Sequence, residues 1–198
     1  MHSLQHLFVI FASYRKDNKK QNMAKHTYES ILSELKSGKY RPVYYLMGEE
    51  GFFTDRITDY IANNALTEDE RAFNQTIYYG IDTNIDEVIT AAKRFPMMAD
   101  RQVIIVREAQ MMKNIDNLIY YLQSPVPSTV LVFAHKNGSL DKRKKVTTEI
   151  DRTAVLLDSK KIREEQLPAF ISSYMREKGL TADTKSLLMI SESIGADL

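Results

Sequence analysis

Five short apolar runs alternate with helical stripes along most of the chain, and this alternation constrains the fold more than any other feature. In the stripes apolar residues recur at i, i+3, i+4 and i+7, whereas continuous apolar runs are typical of strands buried on both faces. The pattern predicts a three-layer α/β fold, in which helices cover both faces of a mainly parallel, five-stranded sheet. The predicted strands cover about 43–47, 73–79, 102–106, 129–134 and 153–157, and the predicted helices about 28–35, 52–64, 84–94 and 114–123.

After about residue 160 the strand-like runs stop and two helical stripes follow. The first stripe ends at Gly179, and Thr181 is the predicted cap of the second. Two helices cannot enclose a core of their own, so we expect a second domain that is cut short and a chain that is a fragment. The expected parts are an extension over 1–22, either disordered or a misassigned start, an α/β domain over 23–159, and the start of a helical domain over 160–198.

The first 22 residues carry no recognisable signal for export or membrane insertion. The apolar run at 7–12 is much shorter than the about 20 residues that span a bilayer. A secretory signal has its basic residues before the apolar run, whereas the basic run at 15–20 follows it here. We therefore expect a cytoplasmic protein with no membrane partner.

The first strand leads into a glycine turn and a helix, which is the layout of a phosphate-binding loop. The turn reads Gly-Glu-Glu-Gly over 48–51, so two carboxylates lie where phosphates would bind. If Gly48 is the first glycine of the G-x-x-x-x-G-K-[ST] pattern, the second glycine, the lysine and the hydroxyl residue fall on Phe53, Thr54 and Asp55. This interpretation predicts no bound nucleotide and no other cofactor. An ordinary turn that never bound phosphate remains the alternative.

A second ATPase landmark is altered in the same way. In ATPases of the AAA+ class a buried strand ends in Asp-Glu-Ala, where the aspartate holds magnesium through water and the glutamate activates the attacking water. Here the apolar run 103–106 is followed by Arg107, Glu108 and Ala109. A cation in the place of the aspartate cannot serve a second cation. Two altered landmarks in the right order indicate an ATPase scaffold without ATPase activity.

The composition excludes several other kinds of site. The chain has no cysteine, so it has no disulfide and no thiolate metal ligand, and its four histidines are scattered. We predict no metal site and no catalytic residues. The net charge of +1 gives no overall attraction to nucleic acid or anionic lipid.

These landmarks resemble, in order, the delta subunit of the bacterial DNA polymerase III clamp loader, which is a degenerate AAA+ family. The resemblance extends from about Tyr40 to Leu198, and it implies an AAA+-like first domain without ATP binding. It also implies a small helical lid that starts near residue 160, and a C-terminal helical collar domain that is absent from this chain. The segments that carry the resemblance are 44–50, 73–74, 99–106, 140–145, 167–171 and 195–198.

The family resemblance implies a function in DNA replication without intrinsic enzymatic activity, as a subunit of a DNA-directed DNA polymerase complex. Members bind the ring-shaped sliding clamp and hold one interface open for loading onto primed DNA. Clamp-loader ATPase subunits supply the nucleotide cycle. These subunits and the delta-prime subunit are joined through the absent collar, so the isolated chain is expected to be a monomer. The delta-prime family is an alternative, but it is characterised by a Ser-Arg-Cys finger and a cysteine-ligated zinc, which a chain without cysteine lacks.

The same resemblance places the clamp contact at Phe95, Pro96, Met97 and Met98. Family members carry two large hydrophobic residues here that fill a pocket on the clamp. This chain has two methionines where leucine and phenylalanine are common, and Lys93 where glutamine is common. In the alternative interpretation Met97 and Met98 pack inward at the junction between helix and strand.

A basic run, Lys142, Arg143, Lys144 and Lys145, is a possible DNA contact, because four cations could bind phosphates. No aromatic residues alternate with these cations to stack on bases, and charge runs beside a turn are usually only solvated. Two further functions remain as alternatives: a divergent P-loop enzyme, such as a nucleotide kinase, and a generic DNA-binding domain. The absence of lysine and arginine from 48–54 disfavours the first, and the near-neutral charge disfavours the second.

Overall fold

The computed structural model describes residues 26–194; the expected extension at 1–22 and the segment 195–198 lie outside them. The described residues form one sheet of five strands, which confirms the predicted α/β fold. The strands are β1 (Val43–Gly48), β2 (Gln75–Tyr79), β3 (Gln102–Arg107), β4 (Thr129–Ala134) and β5 (Val155–Ser159). Their order in the sheet is β2-β3-β4-β1-β5, and all four pairings are parallel.

Helices cover both faces of the sheet, as predicted. They are α1 (Tyr28–Lys36), α2 (Gly51–Asn64), α3 (Glu68–Asn74), α4 (Ile85–Ala92), α5 (Leu118–Leu122), α6 (Lys145–Thr153), α7 (Leu167–Glu177) and α8 (Thr184–Ile194). Side chains alternate along a strand, so each inner strand contributes to both layers. In β1, Tyr44 and Leu46 pack with α1 and α2, whereas Tyr45 and Met47 pack with α4, α5 and α6. Burial on both faces explains the continuous apolar runs.

Several predicted boundaries are wrong, each for a local reason. Residues 73 and 74 end α3 instead of opening β2. The Thr67 hydroxyl and the Glu70 carboxylate form a capping box that starts this short helix. The predicted helix at 114–123 is shorter, because a 3-10 turn (Ile115–Asn117) precedes α5.

The last strand of the sheet and the last described helix also begin later than predicted. Helix α6 was not predicted, and it places the start of β5 at 155 instead of 153. The cap of α8 is Asp183 and not Thr181, because the Asp183 carboxylate accepts the backbone N–H of Ser186 at 2.7 Å. The predicted helix at 84–94 is confirmed as α4, and its cap is Asn84, whose side chain accepts the backbone N–H groups of Asp86 and Glu87.

Helix α7 packs directly on α2 through an aromatic cluster. The ring of Phe170 lies 5.6 Å from that of Phe52 and 5.7 Å from that of Phe53, in edge-to-face geometry. Glu177, at the end of α7, pairs with Arg56 at 2.8 Å and with Lys36 at 3.3 Å. The first helix after the sheet is therefore anchored on the layer formed by α1 and α2. Among the described residues, no helix is both long and apolar enough to cross a membrane.

Candidate functional site

Gly48 ends β1 where a phosphate-binding loop would start, and crowding of the backbone requires a glycine there. Its φ of 130° is one that other residues rarely adopt. A Cβ atom at Gly48 would lie 2.1 Å from the carbonyl oxygen of Ser159 in β5. Gly48 also exchanges two backbone hydrogen bonds with Gly138, at 2.8 and 3.1 Å. The packing of the neighbouring strand thus accounts for this glycine without a phosphate.

The N-terminus of α2, where a nucleotide phosphate would bind, is capped by a carboxylate of the chain itself. Glu50 is only 4% exposed, and its Oε1 accepts the backbone N–H of Phe52 at 3.1 Å. A helix N-terminus attracts anions because its first N–H groups are free and its dipole is positive there. Phe53, at the position of the second glycine, is buried in the core beside Tyr28. The chain therefore fills with its own side chains the positions that would receive phosphate.

A lysine contacts two further positions that correspond to ATPase residues, Asp55 and Glu108. Lys136 follows β4, and its Nζ lies 2.9 Å from Asp55 Oδ2 and 3.6 Å from Glu108 Oε1. Asp55 is at the position of the magnesium-binding hydroxyl, and Glu108 is at that of the glutamate that activates water. Although partial burial of the ammonium acts in the opposite direction, these two carboxylates raise the pKa of Lys136. One internal cation thus pairs with both acidic groups.

Arg107, in the place of the magnesium-binding aspartate, also has a partner on α2. Its Nη2 donates to Asp59 Oδ1 at 2.7 Å.

Beside these pairs lies an open cavity of about 500 Å³. It is lined by the acidic residues Glu49, Glu50, Asp55 and Asp59 together with Arg56 and Lys161. Across the part of the chain that the structure describes, no group of three or more histidine, aspartate or glutamate residues could hold a metal ion.

The segment predicted to contact the clamp is an exposed loop at the amino ends of the strands, on the side of the sheet away from Gly48. It covers residues 93–101, between the end of α4 and the start of β3. Phe95 is 88% exposed, Met97 62% and Met98 fully exposed, while Pro96 is half-buried. The alternative interpretation, in which both methionines pack inward, is therefore wrong. Three large apolar side chains face solvent within four residues, which is typical of a surface that binds another molecule.

Two buried polar side chains that the sequence interpretation did not identify hold this loop. At its base, Gln102 Nε2 donates to the carbonyl oxygen of Arg94 at 2.6 Å. At its tip, the Asn74 side chain accepts the Met97 N–H at 2.6 Å and donates to the Met97 carbonyl at 2.9 Å. The available sequence signals were the segment Phe73-Asn74 among the family-like motifs and the Thr67–Glu70 capping pattern, which starts the helix that Asn74 ends.

The basic run is paired internally along most of its length. Lys142 lies 3.4 Å from Asp158, Arg143 lies 2.8 Å from Asp141, and Lys144 lies 3.0 Å from Asp116. Lys145 opens α6. The Asp141 carboxylate, bonded to the Arg143 guanidinium, has a pKa below its usual range. Since a carboxylate competes with phosphate for each of the first three cations, this surface does not resemble an open phosphate-binding patch.

The comparison with protein families decides between the remaining interpretations. The family model described as "DNA polymerase III, delta subunit" matches residues 44–160, which is more than half of the chain. The chain belongs to this family. The match covers both altered ATPase landmarks, the exposed loop and the basic run. The sequence-based assignment to the delta family is confirmed.

Individual relatives agree with the delta family. The chain is similar to the DNA polymerase III subunit delta of Bacillus subtilis, at 25% identity over 166 residues, covering 79% of this chain and 48% of the relative. The chain thus spans about half the length of the curated relative it matches. Among solved structures it is similar to the Bacillus subtilis DNA clamp loader delta protein, with a TM-score of 0.71, 25% identity and coverage of 82% of this chain and 51% of that one.

A more distant structure shares the fold alone. A RuvB P216G mutant from Thermotoga maritima is 13% identical, with a TM-score of 0.52. The matched region covers 91% of this chain and 58% of the RuvB chain.

Proposed function

We propose that this chain acts in DNA replication as the clamp-loader delta subunit of the replicative DNA polymerase III. In this proposal it binds the sliding clamp through Phe95, Pro96, Met97 and Met98 and holds one interface of the ring open for loading onto primed DNA. It hydrolyses no ATP itself: clamp-loader ATPase subunits supply the nucleotide cycle, and a delta-prime subunit is a further partner. The helices after residue 160 start the lid domain in this proposal.

The observation that carries the proposal is the exposure of Met97 and Met98 in a delta-family chain. Two unbranched, polarisable side chains that project into solvent can adapt to an irregular apolar pocket. Burying each methionine on binding would contribute about 1.5–3 kcal/mol, from which the costs of association are subtracted. Two such anchors can dominate a small interface.

DNA contact by the run 142–145 belongs to the proposal only within the assembled complex. Three of its cations are already paired with carboxylates of this chain. Binding of DNA by the isolated chain would have to break those pairs. A nucleotide-binding enzyme is not favoured either, because Glu50 caps the N-terminus of α2 and Asp55, at the position of the magnesium-binding hydroxyl, is paired with Lys136.

The proposal is tested with the double substitution Met97→Asp and Met98→Asp. We expect clamp binding, measured by surface plasmon resonance, to fall more than about 100-fold, because a carboxylate cannot enter an apolar pocket without a partner. The melting temperature should stay within a few degrees, since both side chains are exposed. Aspartate also tolerates the left-handed backbone of Met98 better than methionine does.

The matched control replaces two exposed methionines elsewhere, Met111 and Met189, with aspartate. This control has the same change in charge and composition, so it should bind the clamp like the unmodified chain. Unchanged binding by the Met97/Met98 variant would remove the loop from the interface. Absence of binding by the unmodified chain would contradict the proposed function itself.

A further inference from the structure

We infer that Asn74 is a positioning residue that holds the Met97–Met98 turn in the conformation that binds the clamp. This inference rests on the proposed clamp contact, but it concerns a residue outside the loop, 23 positions earlier in the chain. Asn74 touches no partner in this account. It acts through the backbone of Met97.

The topology of the sheet explains why Asn74 can reach the loop. Asn74 is the last residue before β2, and the loop 93–101 immediately precedes β3. These strands are parallel neighbours, with Gln75 opposite Val103. The residues before them therefore meet at the same edge of the sheet, about one strand spacing apart. The short helix α3 delivers Asn74 to this edge with its side chain buried.

The hydrogen bonds of Asn74 are complete and specific. Its Oδ1 accepts the N–H of Met97 at 2.6 Å, while its Nδ2 donates to the carbonyl oxygens of Met97 at 2.9 Å and of Glu70 at 3.1 Å. Both polar groups of the Met97 backbone are thus engaged by one side chain that is 5% exposed. Only an amide combines an acceptor with two donors in this geometry, so neither aspartate nor alanine can replace all three bonds.

The turn needs such a restraint because of the conformation of Met98. Its φ is 52°, in the left-handed region that a methionine adopts only at an energetic cost. Its side chain is fully exposed and has no core packing to offset that cost. The loop base gives a second fixed point, since Gln102 binds the Arg94 carbonyl and Thr129 Oγ1 donates to the Ala92 carbonyl at 2.8 Å.

With both points fixed, the two methionines are presented before any partner arrives. Binding then avoids most of the cost of ordering the turn, which is the advantage of a preorganised interface. Without Asn74, at least one residue would have to be ordered during binding. Ordering the backbone of one residue corresponds to about a tenfold loss of affinity.

The test compares Asn74→Ala with Asn64→Ala in the full chain, with the sliding clamp as the probe. Asn64 also ends a helix and donates its amide to the carbonyl four residues earlier, Tyr60, at 2.8 Å, but it has no bond to the loop. We expect the Asn74 variant to bind about tenfold more weakly and the Asn64 variant to bind normally. Asn74→Asp keeps the acceptor for the Met97 N–H, so its affinity should be intermediate.

A second readout separates positioning from a general structural role. In methyl NMR spectra of chains labelled at methionine, Asn74→Ala should shift the Met97 and Met98 signals in the free protein and leave Met47 and Met189 unchanged. Normal clamp affinity together with unchanged loop signals would overturn the inference and leave the clamp contact intact. If Asn74→Ala does not fold, the same two measurements, clamp affinity and the methionine methyl signals, are made on Asn74→Asp and test the inference in the same way. If the unmodified chain does not bind the clamp, the proposed function fails, and the methyl signals alone still test whether Asn74 holds the turn.

Discussion

Tyr45 and His135 form a buried polar pair in a layer that is otherwise apolar. The Tyr45 hydroxyl lies 3.1 Å from His135 Nδ1. Burial raises the pKa of Tyr45 and lowers the pKa of His135, so it favours the neutral form of both groups. Protonation of His135 would place a charge in the core.

This pair makes the stability depend on pH in a definite direction. In the unfolded chain His135 titrates near its ordinary pKa, whereas in the folded chain its pKa is lower. Between these two values the unfolded chain binds more protons than the folded chain. The contribution of His135 to the free energy of unfolding is therefore fully present above pH about 6.5 and decreases as the pH drops below it. We expect the melting temperature to decrease from pH 7 to pH 5.5.

His135→Asn should make that decrease smaller, because the amide can still form a hydrogen bond with the Tyr45 hydroxyl but does not titrate. His26 is a necessary comparison, since burial lowers its pKa as well. Melting curves of His26→Asn measure how much of the pH dependence of the melting temperature comes from His26. An identical pH dependence in His135→Asn and the unmodified chain would show that the Tyr45–His135 pair does not control the stability in this range.

Among the elements, α2 occupies the place of the helix that follows a phosphate-binding loop, and contacts within the chain hold it there. Its N-terminus still follows a glycine turn after β1, but Glu50 caps it from within the chain. Its first turn is fixed by Phe52 and Phe53, which contact Phe170 of α7. The helix is therefore stabilised by contacts that require no nucleotide.

We expect Glu50→Ala to lower the free energy of unfolding by about 0.5–2 kcal/mol, the usual cost of losing an N-cap. Glu49→Ala is the control, because Glu49 is exposed and only approaches Lys160 at 3.8 Å. Neither variant, nor the unmodified chain, should be stabilised by Mg-ATP in thermal melts. A site with a Kd of about 10 µM would add about 2.7 kcal/mol at about 1 mM ligand, so a clear rise in melting temperature would contradict the loss of nucleotide binding.

At the level of elements, the sequence predicted the strands well and the short helices poorly. The runs that became β1, β3 and β4 are apolar on both faces, and this pattern has few other structural explanations. Helix α6 was missed because it reads Lys-Val-Thr-Thr-Glu-Ile-Asp-Arg-Thr, with β-branched residues and charges that favour other structures locally. Its burial of Val146 and Ile150 depends on the sheet beneath it.

For the candidate site, the sequence predicted which residues project but not what holds them. Met97 and Met98 follow from the family-like motif and the proline before them. The contacts of Asn74 and Gln102 depend on which strands are neighbours, and the strand order cannot be derived from local patterns. Similarly, the substitution at Arg107 was visible in the sequence, whereas its pairing with Asp59 required the packing of α2 on the sheet.

In the molecule as a whole, the two sites lie at opposite edges of one sheet. Gly48 and Arg107 are the last residues of β1 and β3, and Lys136 follows β4. Nucleotides bind at these carboxyl ends of the strands in folds of this class. Asn74 and the loop 93–101 precede the amino ends of β2 and β3. Strands of five or six residues separate the two edges by about 20 Å. Changes at the carboxyl ends of the strands therefore need not disturb the loop 93–101.

This separation predicts that the two sites behave independently in the isolated chain. Lys136→Met should destabilise the fold by removing the cation between Asp55 and Glu108, yet leave clamp affinity unchanged. In a double-mutant cycle with Met97→Asp, the two changes in the free energy of unfolding should add to within about 0.5 kcal/mol, as for distant sites without shared partners. Chemical denaturation and surface plasmon resonance on the four chains measure both quantities. A loss of clamp affinity greater than about threefold in Lys136→Met alone would mean that the sheet couples its two edges, and the degenerate site would then regulate the loop.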